Sequence, residues 1–237
     1  IDTSLFIDDD GTPYLYFVRF TDGNVIWVAE MNDDLTGIKQ ETLTECIKVG
    51  EPWELSQDKP ARVAEGPSVL KKEDVYYLVY SANHFESKNY GVGYATSDSP
   101  MGPWKKYEGN PILQRADGLT GTGHGAPFRC KDGSWKYIFH AHWDSVKVQP
   151  RTSYIKDFAI SDQGTVSIGG VDVKDYTMNS LMKNISMVFQ NVYLFPDTIE
   201  NNIKFGSPNA THEDVVKAAK AARCHDFISA LQEGYQT

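Results

Sequence analysis

Along residues 1–160 the apolar and aromatic positions fall in short runs of strand length, divided by turn-forming residues. Gly11-Thr12-Pro13-Tyr14-Leu15-Tyr16-Phe17 and Gly133-Ser134-Trp135-Lys136-Tyr137-Ile138-Phe139 share one form, a turn followed by an aromatic-rich strand. Ala64-Glu65-Gly66-Pro67-Ser68-Val69-Leu70, followed by Val75-Tyr76-Tyr77-Leu78-Val79-Tyr80, repeats it between them. Asp8-Asp9-Asp10-Gly11 predicts a hairpin turn. Further strands are predicted over 24–31, 90–96 and 151–160, with turn-rich exits at 33–37 and 97–104. Tyr14, Tyr77 and Tyr137 lie 63 and 60 residues apart, and Ala29 and Ala95 lie 66 apart. A strand-built repeat of roughly sixty residues predicts propeller blades about a shared axis. About three such units are present, fewer than the roughly four to eight of a closed propeller.

After residue 164 the pattern changes. A strand and turn are predicted at 166–172, a helix over 176–184 and a short buried strand over 185–189. Thr211-His212-Glu213-Asp214 predicts a capped helix start, and a second helical piece over 226–232 stops at Gly234. The chain is therefore expected to be mainly β, with an α/β segment at its end.

Composition narrows the picture without changing it. Of the 237 residues 41% are hydrophobic and 23% charged, an ordinary globular balance. The 12% of aromatic residues suits strands and also a sugar-binding cleft. A net charge of −9 argues against nucleic acid or an anionic membrane surface as partner. No apolar run approaches the ~20 residues that span a bilayer, and no signal peptide is read, so a cytoplasmic location is favoured. Ile1 is not a start methionine, so the gene is expected to begin further upstream. Cys46, Cys130 and Cys224 show neither metal-ligand spacing nor a disulfide framework and read as free thiols. The acidic run 8–10 lacks the spacing of a calcium loop and reads as a solvated turn.

The repeat also carries chemistry. Counting back 12, 12 and 13 residues from Tyr14, Tyr77 and Tyr137 lands on Asp2, Glu65 and His124. Ionisable residues at one phase of successive blades can meet near the axis. The alternatives are a polar strand cap for Asp2, a turn residue for Glu65 and a loop-satisfied histidine for His124. Trp53, Phe85 and Trp143 are candidates for the apolar faces on which sugar rings rest, with packing as the alternative for each.

Ile1-Asp2 with Phe6 to Gly11, Ala64-Glu65-Gly66-Pro67, Tyr76 to Asn83, Tyr90 to Ala95, Gly102-Pro103-Trp104 and Gly121-Thr122-Gly123-His124-Gly125 occur in an order that resembles glycoside hydrolase family 43. The resemblance covers residues 1–164. It implies a five-bladed β-propeller, of which this chain holds about three blades. It also implies an inverting enzyme of the α-L-arabinofuranosidase, β-xylosidase or arabinanase type, acting on plant polysaccharide. By motif Glu65 matches the general acid and Asp2 the carboxylate that tunes it. His124 matches a central histidine beside a hydrated calcium; no other cofactor is implied. The base-bearing first blade has no match here. A general acid needs a raised pKa, and Asp2 is expected to supply the negative charge that raises Glu65. The two missing blades lead to the expectations of loose sugar selectivity and self-association through open sheet edges. The missing base leads to those of lowered activity and of Asp2 acting as base across the sugar. The rival for that base is Asp144. A catalytically incomplete carbohydrate-binding fragment is the alternative function.

Residues 165–237 resemble another family, the nucleotide-binding domain of ABC transporters. Ile168-Gly169-Gly170-Val171-Asp172, Val188-Phe189-Gln190, Leu194-Phe195, Thr198 to Ile203 and Glu233-Gly234-Tyr235 carry the likeness. Gln190 matches the glutamine that reaches toward metal and attacking water. No G-x-x-x-x-G-K-S/T occurs, so the phosphates would have neither backbone cradle nor lysine, and no ATP chemistry is expected. The chain reads as a chimera.

Overall fold

The computed structural model describes residues 1–55, 59, 61–169, 195–205, 207 and 209–237. They fall into two compact units, Ile1–Asn184 and Ile185–Thr237. The first holds three four-stranded antiparallel sheets, each a meander in chain order. Sheet one contains β1 (Ser4–Ile7), β2 (Pro13–Phe20), β3 (Asn24–Glu30) and β4 (Thr44–Ile47). Sheet two contains β5 (Ala64–Lys72), β6 (Val75–Ala82), β7 (Gly91–Ser97) and β8 (Lys105–Lys106). Sheet three contains β9 (Gly123–Arg129), β10 (Trp135–Ala141), β11 (Thr152–Ile160) and β12 (Val166–Gly169). This is the mainly β, partial propeller that the sixty-residue repeat predicts.

The pleat explains how the sheets stack. On β6 alternate side chains face opposite ways. Leu78, Tyr80 and Ala82 join Tyr16, Val18, Ile26 and Val28 in one core. Tyr77 and Val79 join Tyr137, Phe139, Phe158 and Val166 in another. Sheet two is thus covered on both faces, which is why Val75 to Tyr80 is an unbroken apolar run instead of an alternating one. The first hairpin closes where expected, with Gly11 at φ 88° and its N–H donating to the Asp8 carbonyl at 2.9 Å.

Glu54 is fully buried beside sheet two. Its carboxylate accepts from the Gly50 and Glu51 N–H groups at 2.7 and 2.8 Å, from the Tyr80 hydroxyl at 2.7 Å and from Lys106 Nζ at 2.6 Å. A buried charge persists when it is paired and hydrogen-bonded in this way.

Sheet three extends past residue 164, where the sequence places the join. β12 pairs with β11 from Ile160↔Val166 to Asp157↔Gly169, so Val166–Gly169 completes the third sheet. The helix expected over 176–184, the strand over 185–189 and Gln190 lie outside the described residues. In the second unit α1 (Ile199–Lys204), α2 (His212–Ala221) and α3 (His225–Ser229) surround Val215, Ala219, Ile228 and Tyr235. The capping box forms as read: Thr211 Oγ1 accepts from Asp214 N at 3.2 Å, and Asp214 Oδ2 accepts from Thr211 N at 2.9 Å. Among the described residues no helix is long and apolar enough to cross a membrane.

Candidate active site

The three phased residues do meet. One ligand atom from each of Asp2, Glu65 and His124 lies within 4.8 Å of the other two. Asp2 leads into β1, Glu65 opens β5 and His124 opens β9, so each sheet delivers one group from its first strand. All three approaches use left-handed backbone: Asp2 at φ 53°, Gly66 at 58° and His124 at 49°. Only glycine adopts this region freely, so Asp2 and His124 are strained, a pattern that gathers at functional sites. The pairing of β5 with β6 shifts register between Glu65 and Ser68, and that of β9 with β10 shifts between Ile138 and His140. Such bulges re-aim side chains, and Gly66-Pro67 is the sequence signal for the first of them.

A cavity of about 440 Å³ adjoins the group, and its walls include Asp2, Ser4, Gly66, His124, Phe139 and His140. The Glu65 side chain is 13% exposed and that of His124 is 41% exposed. Both Glu65 oxygens are engaged: Tyr90 Oη donates to Oε1 at 2.8 Å and Asn24 Nδ2 donates to Oε2 at 3.1 Å. His124 Nδ1 stands 3.9 Å from Oε1, and the His124 N–H donates to Ser81 Oγ at 2.8 Å. Tyr90 stacks on His140, centroids 5.6 Å apart, and Arg151 Nη1 donates to His140 Nε2 at 3.0 Å.

The electrostatics overturn one expectation. Burial pushes the Glu65 carboxyl up, but the polar contacts from His124, Tyr90 and Asn24 outweigh it, and the pKa lies below the ordinary value. His124 is raised, first by its contact with Glu65 and against its own burial, with the Asp2 charge adding to the rise. The Asp2 charge therefore acts on His124, where it favours the protonated imidazole. Burial, then the Arg151 charge, pushes His140 down to about 3, so it is neutral. Burial and the Glu65 charge hold the Tyr90 phenol well above its usual value, so it remains a donor.

One carboxylate oxygen of Asp2 lies within 4.8 Å of one of Glu65. Asp144 is engaged locally. Its Oδ1 accepts from Val146 N and Lys147 N at 2.6 and 2.7 Å and closes its own turn. Trp53 packs on Tyr80 in the core between sheets one and two, with centroids 5.8 Å apart. Phe85 is stacked on His84 and covered by the Arg151 guanidinium, 5.2 Å from its ring centre. Trp143 is 55% exposed. None of these three aromatics lines the cavity. Sequence reasoning missed Tyr90, Asn24 and His140. Tyr90 lies inside a quoted motif, but nothing in its spacing points to Glu65.

Calcium takes six to eight oxygen ligands. Asp2, Glu65 and His124 offer three ligand atoms, so water would have to supply the remaining positions of a hydrated calcium.

The comparisons with known proteins divide the chain in the same way. One segment is 42% identical over 83 residues to ABC transporter B family member 2 of Dictyostelium discoideum, covering 35% of this chain and 6% of that one. This likeness to ABC transporter ATP-binding proteins and the one below fall on different segments, so the chain is a fusion. The crystal structure of an endo-1,4-β-xylanase from Bacteroides thetaiotaomicron matches with 74% identity and a TM-score of 0.71, over 73% of this chain and 60% of that one. An α-L-arabinofuranosidase from Lactobacillus brevis matches with 25% identity and a TM-score of 0.62, over 75% of this chain and 57% of that one. The chain thus spans less than two thirds of these relatives. The family described as Glycosyl hydrolases family 43 matches residues 1–166, the three sheets that deliver Asp2, Glu65 and His124, and the chain belongs to that family.

Proposed function

We propose that this chain is a glycoside hydrolase acting on arabinose- or xylose-containing plant polysaccharide or its oligosaccharides. The observation that carries the reading is the meeting of Asp2, Glu65 and His124 beside a cavity of about 440 Å³. In the reaction the bond from the anomeric carbon to the leaving oxygen breaks. Glu65 gives that oxygen a proton, and water adds its hydroxyl to the anomeric carbon and releases its other proton to solvent. Glu65 regains a proton from solvent before the next turnover. Glu65 needs its proton at the moment the bond breaks. A sugar that displaces water beside Glu65 favours the neutral carboxyl. Asp2 favours the protonated form of His124 through its charge.

The cavity is larger than one pentose, which supports loose selectivity among pentosides and hexosides. A single apolar contact discriminates by only ~1–3 kcal/mol. The open face of sheet one supports self-association, read by light scattering across concentration. No ATP chemistry enters the reading.

A second reading has its own observation. Among the described residues, Asp2, Glu65 and His124 form the one group of three such side chains, and the resemblance places the family's base on a blade that this sequence does not match. A base is worth ~10²–10⁴-fold, so a catalytically incomplete carbohydrate-binding protein is the alternative. Release of pentose from aryl arabinosides and xylosides by the purified chain separates the two. Slow release supports the hydrolase; none from any substrate, with sugar binding retained, supports the binding protein.

A further inference from the structure

The Glu65 carboxyl is pinned from two sheets. Asn24 opens β3 of sheet one, and Tyr90 immediately precedes β7 of sheet two. Their donors reach different oxygens, so the plane of the carboxyl group is fixed as well as its position. Each donor is itself held. The Asn24 N–H donates to the Arg62 carbonyl at 2.8 Å, and the Tyr90 N–H donates to the Ser87 carbonyl at 3.1 Å. The Tyr90 ring is fully buried and lies against His140. It also fills the space above Gly123, where a Cβ would come within 2.4 Å of the ring. Glycine at 123 is therefore what lets the phenol reach Glu65.

We infer that Tyr90, assisted by Asn24, is a positioning residue that orients Glu65 for proton delivery to the leaving oxygen. This rests on the proposed role of Glu65 as the acid. The shorter bond is at Oε1, so that oxygen takes the carbonyl role when Glu65 is protonated. Oε2, with the longer amide bond, then carries the proton and keeps a lone pair for Asn24. With the carboxyl plane fixed, the proton points in one direction. Without the phenol the group turns about its last torsion, which is broad for a glutamate, and the proton loses its aim. Orientation of a reacting group is a recognised part of the catalytic effect.

The test uses the leaving group. A dinitrophenolate departs without a proton, whereas a phenolate benefits from one. Wild type, Glu65→Gln, Tyr90→Phe and Asn24→Ala, each as the full chain, are compared on phenyl and dinitrophenyl pentosides. Tyr90→Phe keeps the ring on His140 and removes only the donor. The expected result is a loss of roughly 10-fold or more on the phenyl substrate and less than about 2-fold on the dinitrophenyl one. Asn24→Ala should show the same selectivity with a smaller loss, and it stands in for Tyr90→Phe should that variant not fold. Equal losses on both substrates, or no loss on either, overturn the inference. Glu65→Gln separates the two claims. If it loses phenyl activity and keeps dinitrophenyl activity while the donor variants behave as wild type, the acid reading stands and the positioning inference falls. If Glu65→Gln is not selective, or the wild type releases nothing, the acid reading itself falls.

Discussion

Sheet two and sheet one are built from the same repeat, yet they differ in what surrounds them. Sheet two is covered on both faces, and every residue of β6 after Val75 is buried. On β1 of sheet one Leu5 and Ile7 are 48% and 55% exposed. The chemistry follows the packing. Glu65, on the doubly covered sheet, is held by donors from its own sheet and from its neighbour. Asp2, leading into the half-covered sheet, acts on His124 through its charge. A group that must be aimed sits where the scaffold is rigid. A group that supplies only field tolerates the open edge.

The largest expected effect tests the rigidity of sheet two. Glu54→Ala leaves the buried Tyr80 hydroxyl and the Gly50 and Glu51 N–H groups without their acceptor and takes one of two acceptors from Lys106. It should cost about 3–5 kcal/mol in denaturant unfolding. A cost under ~1 kcal/mol would mean that the network does not brace the sheet. The comparison sharpens with one truncation on each sheet. Leu78→Ala on β6 should cost about 2–5 kcal/mol and Ile7→Ala on β1 about 1 kcal/mol or less. Equal costs would erase the distinction between covered and open faces.

A smaller effect should appear in pH. His124 is raised, so its contribution to stability is complete below the unfolded value of ~6.5 and is lost as pH rises through the folded value. Glu65 is lowered, so its contribution is present above ~4.3 and is lost as pH falls through its folded value. The pair therefore stabilises the fold most between those limits. Followed by NMR, the His124 titration should move down in Glu65→Gln and less in Asp2→Asn, since Glu65 is the larger cause. An unmoved titration in both variants would dissolve the charge coupling across the sheets.

The sequence announces the blades because strands buried on two faces and tight turns both leave local marks, as at Val75 to Tyr80 and Asp8 to Gly11. It announces Asp2, Glu65 and His124 because equal phase in a repeat becomes shared position around an axis. It is silent on Tyr90 and Asn24, which meet Glu65 from loop ends 25 and 41 residues away. The direction of the Glu65 shift is not legible in the sequence: a carboxylate alone with Asp2 would rise, and the contacts from His124, Tyr90 and Asn24 lower it. Trp53 and Phe85 illustrate the converse. An aromatic offers the same face to a sugar as to Tyr80 or Arg151, and only tertiary contacts decide between them. The end of the third sheet was hidden too, because Val166–Gly169 pairs as an outer strand although its local sequence resembles the second family.

The central claim is that Glu65 delivers the proton from a site built by three first strands. It is tested most directly by hydrolysis of phenyl pentosides by the wild type and Glu65→Gln at matched folding. The account predicts a loss of about 10²–10⁴-fold in kcat/KM in the variant, and wild-type rates in Glu65→Gln would contradict it.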